Sequence, residues 1–466
     1  MRILHALHDY LPEQVAGIEV YTNRVAHDQA RRHEVGILFA ALSTGEETGA
    51  LEASSEDRVR LFAVTQHRRW RRFEQTWRDP QIEDGIERAI DAFSPDVIHV
   101  QHLLNLGLAL PEIARRRGIP LVMTLHDHWL SCAAGGQRFH ADRTRCDELS
   151  ADRCGSCVTP QVGPALALRG AIQRRRAERG ASDSGSPADD SVDALDESRR
   201  VGSRAQVLRR AWSAIARATG RRGVEARWDA LRAFVGDGTL FIAPSLDMRA
   251  AALSFGVAGD RCLHVPHGLT LGREPGTPPG RLARRFGYVG SIVPHKGVLE
   301  LVRAFESLPE EARLDVWGSL GDAPDYVREV RAAARHPGIR LQGEASPSRV
   351  PDLMAEMDAL VVPSLWRENA PLSILEAFSL GRPVVASRIG GHPELCASLS
   401  PLLFDPGHVE GLASVLTRLA TEPEFARDMA LRVPRVPSVV EHTQALDSVY
   451  ERVVASGDEV SAAQIA

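Results

Sequence analysis

Short apolar runs, each followed by a polar loop and an amphipathic stretch, recur along both halves of the chain. In the first half this pattern predicts strands at Arg2–Leu7, Glu34–Ala40, Val97–Gln101 and Leu121–Leu125, and helices at Ile18–Arg31 and Ile82–Phe93. In the second half it predicts strands at Arg284–Val289, Arg313–Trp317, Ile339–Gln342, Ala359–Val362 and Pro383–Ala386, and helices at Val298–Leu308, Pro324–Ala334 and Pro371–Leu380. Alternating strands and helices are typical of parallel sheets with helices on both faces. The predicted fold class is therefore α/β, with two doubly wound, Rossmann-like domains that bind ligands at the carboxyl ends of their strands.

Interruptions of this pattern indicate where the domains begin and end. Residues 1–268 are predicted to form an N-terminal domain and 282–440 a C-terminal domain, joined by a Gly/Pro-rich linker at 269–281. Residues 441–466 would add a helix near Thr443–Val454, able to pack on either domain, and a tail. An insert at about 176–205 contains a stretch without apolar anchors and is predicted to be partly disordered.

Composition narrows the functional class. The chain has 466 residues, of which 44% are hydrophobic and 25% charged, as in soluble globular proteins. A net charge of −5 gives no reason to expect nucleic acid as a partner. No apolar run approaches the roughly 20 residues that span a bilayer, and the N-terminus enters a strand without the features of a signal peptide. We therefore expect a cytoplasmic protein with reduced thiols, which could act at the inner face of the membrane.

Lys296 is the single lysine among 56 Lys and Arg residues. It follows the predicted strand Arg284–Val289 and a Gly-containing loop, and it directly precedes a predicted helix. Lys is a compact, mobile cation, whereas Arg is a wide planar fork, and a tight phosphate pocket can require the former. The alternative is chance survival in an Arg-biased sequence. The position just past a strand favours a phosphate-binding role.

A second polar cluster follows the predicted strand Ala359–Val362. Pro371 suits the first turn of a helix, so free amides at 369–372 would form an anion site at the positive helix end. Glu368 lies just before this helix and Glu376 lies inside it. A carboxylate only accepts hydrogen bonds, so it suits the hydroxyls of a sugar or a ribose. Stabilisation of the helix dipole would explain Glu368 but not Glu376, which has apolar neighbours.

Glu368 and Glu376 have seven residues between them. Together with Gly290 and Lys296-Gly297, this pair resembles the E-x7-E signature of retaining glycosyltransferases of family 4, which have the GT-B fold. Gly390–Glu394 resembles the next loop of that family, and the similarity covers most of the chain apart from about 160–235. The resemblance implies two Rossmann-like domains facing across a cleft. It also implies a UDP- or GDP-sugar donor, no cofactor for catalysis, and transfer to a glycan, a lipid-linked acceptor or a small molecule.

The resemblance also implies residue roles on the donor side. Lys296 would bind the diphosphate, Glu368 would touch sugar hydroxyls, and Glu376 would bind the ribose. The backbone at Asn369, Ala370, Pro371 and Leu372 would hold sugar and phosphate. Ser291 stands where many members have Arg; either its hydroxyl donates a neutral hydrogen bond, or an arginine from elsewhere, such as Arg367, compensates.

The first half offers a facing set of residues. Gly17, at a strand–helix turn, would let backbone approach a phosphate, although a plain turn explains it equally well. His126 follows the predicted strand Leu121–Leu125, and the family places a His here against the donor sugar. Asp127 would orient His126 or the acceptor. His102, after another predicted strand, would line the acceptor side or be an exposed loop residue.

Four of the six cysteines, Cys132, Cys146, Cys154 and Cys157, lie close together in the sequence. The last pair has the C-x2-C spacing that suits zinc. In a reduced compartment a structural zinc is a better explanation than disulfides, and the alternative is four unligated thiols in a loop. Cys262 and Cys396 are predicted to be buried small hydrophobes.

Trp70, Phe73 and Trp77 are spaced as on one helix face and are surrounded by arginines. They predict either a basic amphipathic helix in peripheral contact with a membrane or an aromatic stripe that faces the core. The shortness of the stretch favours the core.

Two other functions are compatible with the sequence. One is a non-catalytic nucleotide-sugar-binding subunit, because Ala16 replaces the first of two glycines common in the family and Ser291 replaces its usual Arg. The other is a sugar-nucleotide epimerase or phosphorylase on a similar fold, which the spacing of Glu368 and Glu376 disfavours.

Overall fold

The computed structural model describes residues 1–12, 14–42, 47–66, 73–140, 142–158, 220–272 and 282–456. The predicted insert at about 176–205 and residues 273–281 of the predicted linker therefore lie outside the described residues, as does Trp70.

The N-terminal half contains a sheet of eight strands: β1 (Arg2–Leu7), β2 (Glu34–Leu42), β3 (Leu51–Glu56), β4 (Val59–Gln66), β5 (Val97–Val100), β6 (Leu121–Thr124), β7 (Leu240–Ala243) and β8 (Cys262–His264). Their order across the sheet is β3-β4-β2-β1-β5-β6-β7-β8. Neighbouring strands are parallel except at the edge, where β3 runs antiparallel to β4.

The C-terminal half contains a parallel sheet of six strands: β9 (Arg285–Val289), β10 (Arg313–Trp317), β11 (Ile339–Gly343), β12 (Ala359–Val362), β13 (Val384–Ser387) and β14 (Leu403–Phe404). Their order is β11-β10-β9-β12-β13-β14. Every residue of β12 and β13 is buried, as expected for strands covered on both faces.

Helices cover both sheets. Those of the N-terminal half are α1 (Gly17–Gln29), α2 (Glu83–Phe93), α3 (Ala109–Arg116), α4 (Ala151–Val158), α5 (220–235) and α6 (Leu246–Phe255). Those of the C-terminal half are α7 (Val298–Phe305), α8 (Pro324–Ala333), α9 (Val350–Glu356), α10 (Leu372–Ser379), α11 (His392–Leu395), α12 (Val409–Thr421) and α13 (Pro423–Leu431). In α7 the helical spacing of Val298, Leu301, Val302 and Phe305 buries all four completely, each stabilising the core by about 1.5–3 kcal/mol.

The last helix, α14 (Val439–Ser456), returns to the N-terminal domain. Its Leu446, Val449 and Tyr450 join one apolar cluster with Ile3 of β1 and Tyr21 of α1. The sequence left open which domain this helix would cover, and the contacts place it on the first.

The chain crosses between the domains at two adjacent places. Leu269 is packed in the core of the C-terminal domain, and its amide donates to the carbonyl of Pro437 at 2.8 Å. A Cβ on Gly268 would lie 2.4 Å from the carbonyl oxygen of Ser438. The outgoing and returning segments therefore touch where they pass from one domain to the other.

Most predicted elements are confirmed to within a few residues. The sequence pattern did not predict β7, β8 and β14, because runs of two to four residues give too few positions to separate a strand from a loop or a buried helix turn. It also missed β3 and β4, the antiparallel pair at the sheet edge. Phe73 and Trp77 are buried in the N-terminal core, at 4% and 5% exposure, and Phe73 begins a 3-10 turn over Phe73–Thr76. No helix of the described part of the chain is long and apolar enough to cross a membrane.

Candidate active site

In each sheet the predicted polar clusters lie at the switch point, where successive strands are added first on one side of the first strand and then on the other. β1 has β2 on one side and β5 on the other, and β9 lies between β10 and β12. The loops that leave β9 and β12 therefore flank a crevice at the carboxyl edge, where doubly wound folds bind ligands. They touch directly: the amide of Leu365 donates to the carbonyl of His295 at 2.8 Å. Gly297 has φ +71°, and a Cβ there would lie 2.0 Å from the carbonyl oxygen of Pro363, so this approach requires glycine.

Lys296 and Glu368 form an ion pair between these loops. Lys296 Nζ lies 3.0 Å from Glu368 Oε1 and 5.2 Å from the ring centroid of Trp366. Ser364 Oγ donates to the same carboxylate oxygen. Burial alone would raise the pKa of Glu368, but Lys296, His392 and Ser364 outweigh burial and lower this pKa to about 2. An ammonium has three donors, so pairing with Glu368 leaves Lys296 able to donate to a ligand.

The segment 368–372 of the C-terminal domain forms hydrogen bonds with the N-terminal domain. Asn369 Nδ2 donates to the carbonyl of Leu125 at 2.7 Å, and Asn369 Oδ1 accepts from Ser245 Oγ at 2.6 Å. Cβ atoms on Gly390 and Gly391 would lie 2.0 Å from backbone carbonyl oxygens of this segment. The amide of Gly391 donates to the carbonyl of Glu368 at 2.8 Å. The backbone before α10 is thus held in place from both sides.

The N-terminus of α10 is available to an anion. Pro371 is the residue before the helix rather than its first residue, and no side chain caps the helix. Ala370, Pro371 and Leu372 are partly exposed. Uncapped amides at the positive end of a helix are suited to phosphate.

Glu376 is paired across the domains. Arg24 Nη2 of α1 lies 3.1 Å from Glu376 Oε1. Burial raises the pKa of Glu376, and Arg24 opposes that shift. Arg24 was not singled out in the sequence, because only the fold brings α1 opposite α10.

His126 lies two residues after the end of β6 and faces this segment from the N-terminal domain. Its Nε2 lies 2.9 Å from Gln101 Oε1. Its ring stacks on His267 at 5.3 Å between centroids and meets the edge of Tyr21 at 4.9 Å. Burial, with a contribution from His102, lowers the pKa of His126 to about 3. The imidazole is therefore neutral at physiological pH, with one N–H and one lone pair.

Asp127 and His102 are brought together beside His126. His102 Nε2 lies 3.3 Å from Asp127 Oδ2, and Asp127 Oδ1 accepts from the amide of Trp129 at 2.8 Å. Burial favours the neutral acid, but His102 and the Trp129 amide outweigh it and hold the pKa of Asp127 below its ordinary value. His102 is 3% exposed, so it is not an exposed loop residue. A carboxylate is presented at the edge of the cleft.

A buried acid next to this group was missed in the sequence. Glu19, in the first turn of α1, is 0% exposed, and its Oε1 lies 3.2 Å from His8 Nε2. The His8 ring lies 4.7 Å from the His102 ring. Burial raises the pKa of Glu19 to about 7. An acidic residue two positions into a helix ordinarily indicates dipole stabilisation, and sequence alone does not reveal that the domain covers it.

We expect Glu19→Gln to stabilise the protein at high pH. The pKa of Glu19 is raised from 4.5 to about 7, so the unfolded chain loses this proton first and stability falls as pH rises between the two values. Relative to wild type, the free energy of unfolding of the variant should be higher by on the order of 3 kcal/mol above pH 8 and almost unchanged near pH 4.5. Urea unfolding at both pH values measures it, with the exposed Glu34→Gln as control. A constant difference would contradict the raised pKa.

Ser291 and Gly17 are open to solvent. Ser291 is exposed, and its carbonyl accepts from Tyr288 Oη at 2.7 Å. Arg367 pairs with Asp247 of α6, so it is engaged across the domains. A Cβ on Gly17 would meet no atom of a described residue within 4 Å, and no side chain caps α1.

Gly17→Ala should leave the fold unchanged and weaken donor binding. The added methyl meets no atom of a described residue within 4 Å, and Ala is a better helix former than Gly. A donor phosphate approaching the amides of α1 would meet that methyl, so we expect the donor Kd to rise about tenfold, equivalent to about 1.4 kcal/mol. Calorimetric titration with the donor measures this change. An unchanged Kd with an unchanged Tm would place the donor away from this loop.

The four clustered cysteines meet around one small cavity. Cys132, Cys146, Cys154 and Cys157 line it together with His140, and His140 Nδ1 lies 3.0 Å from Cys157 Sγ. All six cysteines of the chain are free thiols. Among the described residues, however, no group of three or more His, Cys, Asp or Glu side chains is set to hold a metal ion. The zinc stays a prediction.

Metal analysis of the purified protein tests that prediction. We expect about one zinc per chain, because four thiolates complete a tetrahedral site. Cys154→Ser with Cys157→Ser should release the zinc, whereas Cys262→Ala, at a buried thiol outside the cluster, should retain it. Metal-free protein with four thiols that react with a thiol reagent would contradict the zinc site.

Comparison with known proteins identifies the family of the chain. The family described as Glycosyltransferase Family 4 matches residues 15–161, and the family Glycosyl transferases group 1 matches residues 283–422. One match lies in each domain, and together they span more than half of the chain. The fold and the matches define a GT-B protein with two Rossmann-like domains. The chain belongs to the group 1 glycosyltransferases.

Curated relatives match parts of the chain. TuaC of Bacillus subtilis, named as a teichuronic acid biosynthesis glycosyltransferase, is 28% identical over 204 residues, which are 41% of this chain and 50% of TuaC. A D-inositol 3-phosphate glycosyltransferase of Xylanimonas cellulosilytica is 35% identical over 156 residues, which are 29% of this chain and 37% of that protein. The chain thus matches half or less of the length of these relatives.

Solved structures match nearly the whole chain. Sucrose-phosphate synthase of Thermosynechococcus elongatus has a TM-score of 0.63 at 17% identity, covering 97% of this chain and 99% of that one. Anabaena HepE in complex with UDP and glucose has a TM-score of 0.59 at 14% identity, covering 97% and 100%. At these identities the likeness establishes the fold.

Proposed function

We propose that the protein is a retaining glycosyltransferase that moves a sugar from a nucleotide-diphosphate sugar to an acceptor in polysaccharide, glycolipid or glycoconjugate biosynthesis. The observation that supports this best is the Lys296–Glu368 pair beside the uncapped N-terminus of α10. It combines a cation, a carboxylate and helix amides at the switch point of the second sheet. Neutral His126 faces it from the first domain.

The charge that develops in the reaction accounts for these residues. Transfer breaks the bond between the anomeric carbon and a phosphate oxygen, so negative charge grows on the departing diphosphate. Lys296 and the amides of α10 would stabilise that charge without a metal, as preorganised donors do. The carboxylate of Glu368, held ionised by Lys296, would accept from a sugar hydroxyl. Glu376 would accept from the ribose hydroxyls once Arg24 moves aside or shares the carboxylate.

A same-face route fits the residues of the cleft. The acceptor oxygen would bond to the anomeric carbon on the face that the diphosphate leaves, and its proton would pass to the leaving phosphate oxygen. This route requires no side-chain nucleophile. Product configuration, followed by NMR during turnover, distinguishes retention from inversion.

The donor class is tested by thermal shift with UDP-, GDP- and ADP-sugars. A ligand at about 100 times its Kd stabilises by about 2.7 kcal/mol. We expect a UDP- or GDP-sugar to raise the Tm, and the UDP bound in the Anabaena structure favours testing UDP-glucose first. The teichuronic acid in the name of TuaC favours a glycan or lipid-linked acceptor, and contact with a membrane would follow from a lipid-linked one. No shift with any nucleotide sugar would contradict the proposal.

A non-catalytic nucleotide-sugar-binding subunit is the second candidate. Ser291 leaves the diphosphate without the second cation common in the family, and Arg367 is engaged with Asp247. Donor binding without transfer or donor hydrolysis, with every acceptor class offered, would favour this candidate.

A further inference from the structure

A line of polar side chains connects His126 to the last helix through the interior of the N-terminal domain. Its members are His126, Gln101 after β5, His5 of β1, Gln29 of α1 and Asp447 of α14. His5, Gln101 and Gln29 are 0% exposed, and Asp447 is 8% exposed. Buried polar groups are costly unless each finds a partner, and here each one does.

Every contact along the line has hydrogen-bond length. Gln29 Nε2 donates to Asp447 Oδ1 at 2.7 Å. His5 Nε2 lies 2.9 Å from Gln29 Oε1, and Gln101 Nε2 lies 3.0 Å from His5 Nδ1. His126 Nε2 lies 2.9 Å from Gln101 Oε1. Five side chains are thus joined by four consecutive hydrogen bonds.

Asp447 determines the direction of these bonds. Arg32 donates to its Oδ2 through Nε at 3.2 Å and Nη2 at 2.8 Å, so Asp447 is the carboxylate partner of a guanidinium. An ionised carboxylate only accepts. Gln29 must therefore turn its NH2 group toward Asp447 and its carbonyl oxygen toward His5.

The remaining orientations follow in sequence. Facing a carbonyl oxygen, His5 must carry its proton on Nε2, so that its Nδ1 is an acceptor. Gln101 then turns its NH2 group toward His5 and its carbonyl oxygen toward His126. His126 must in turn carry its proton on Nε2.

A side branch agrees with this direction. The NH2 group of Gln101 has a second hydrogen, and Gln101 Nε2 lies 3.1 Å from His99 Nδ1. His99 Nε2 lies 2.8 Å from Thr124 Oγ1, a hydroxyl that can accept, so His99 can accept on Nδ1 and donate from Nε2. If Gln101 were reversed, its oxygen would face two imidazole nitrogens that would both need protons. The reversal would also reverse His5 and then Gln29, and the carbonyl oxygen of Gln29 would then lie against the carboxylate of Asp447.

We infer that Asp447 of the C-terminal helix, acting through Gln29, His5 and Gln101, fixes the tautomer of His126 so that His126 Nδ1 presents a lone pair. His126 is partly exposed, and its Nδ1 makes no hydrogen bond with a described residue. Nδ1 is therefore the acceptor that this ring offers to a ligand. On the proposed function, it accepts from a hydroxyl of the donor sugar. Gln101, His5, Gln29 and Asp447 are positioning residues, because they act through His126.

The tautomer can be measured directly on the full chain labelled with 15N-histidine. The 15N shifts of the two ring nitrogens distinguish N–H from lone-pair nitrogen, and His126→Gln identifies the signals of His126. We expect the proton on Nε2 in wild type. Asn at 447 can either donate to or accept from Gln29, so Asp447→Asn should produce a population with the proton on Nδ1. Asp447→Glu, which keeps an acceptor-only group, should restore the wild-type form.

Ser448→Ala is the matched control on the same helix. Ser448 is exposed, and its Oγ donates to the carbonyl of Gln444 at 3.0 Å, outside the line, so its loss should leave the His126 tautomer unchanged. A merely structural effect of Asp447→Asn would lower the Tm without changing the tautomer ratio. A proton on Nδ1 of His126 in wild type, or an unchanged ratio in Asp447→Asn, would overturn the inference.

Kinetics link the tautomer to turnover. We expect Asp447→Asn to lower kcat about tenfold, a change of about 1.4 kcal/mol, and Asp447→Glu to recover most of it. An altered tautomer with unaltered kcat would overturn the role toward the sugar. If the protein transfers no sugar at all, the tautomer measurement still decides whether Asp447 controls His126, so the two failures are distinguishable.

Discussion

Lys296→Ala is expected to lower kcat by a factor of about 100 to 1,000, the usual cost of removing one donor that stabilises a developing anion. Lys296 ends a short 3-10 turn, Pro294–Lys296, and its side chain is 24% exposed, so the folded structure should survive the substitution. Steady-state kinetics with the donor identified by thermal shift measure the effect.

Lys296→Arg refines the same experiment because it keeps the charge and changes the shape. The ammonium lies between Glu368 at 3.0 Å and the ring of Trp366, and the wider guanidinium would have to displace one of them. We expect kcat to fall at least tenfold, by about 1.4 kcal/mol or more. Arg303→Ala, which removes an exposed cation from α7 of the same domain, is the control. Near-normal turnover in Lys296→Arg would mean that position 296 tolerates any cation.

Glu368→Gln should have the second largest effect, lowering kcat by about 100-fold, or about 2.7 kcal/mol. Gln keeps the size of the side chain but loses the charge that accepts from Lys296, Ser364 and, in the proposed complex, a sugar hydroxyl. Glu376→Gln, eight positions further along, is the matched variant. It should raise KM for the donor more than it lowers kcat, because its proposed contact is with the ribose, away from the reacting bond. Equal kinetic profiles for the two variants would contradict these separate roles.

The pH dependence of stability provides an independent check on Glu368. Its pKa falls from 4.5 to about 2 in the folded chain, so the unfolded chain binds the proton first as pH decreases. The stabilisation from the ionised form is complete above pH 4.5 and is lost as pH falls toward 2. The stability difference between wild type and Glu368→Gln should therefore shrink across that window. A difference that stays constant would show that the carboxylate is not held ionised.

The fold class could be predicted because both halves repeat strands and helices whose apolar spacing is clear. The positions of Lys296 and Glu368 could be predicted because each follows a buried strand, and parallel strands end at one edge of a sheet. Their partnership at 3.0 Å follows from the order β9–β12 in the sheet. The sequence gives no direct sign of that order, since the two strands are about 70 residues apart.

Other parts of the site depend on contacts that sequence alone does not reveal. Arg24 and Glu376 lie 352 positions apart in the sequence and in different domains, and only the docking of the domains pairs them. Glu19 resembles an ordinary first-turn acid until its burial is known. The four cysteines were recognised by spacing, but spacing does not determine whether thiols around a cavity converge on one ion.

The paired crossings between the domains restrict how the protein can open. Gly268 and Ser438 touch where the outgoing and returning segments pass each other, and Leu269 is bonded to Pro437 there. Since both connections lie at one place, any opening of the cleft would be a rotation about that place. Helix α14 begins just past it and packs on the N-terminal domain, so Asp447 and His126 would stay together if the C-terminal domain moved.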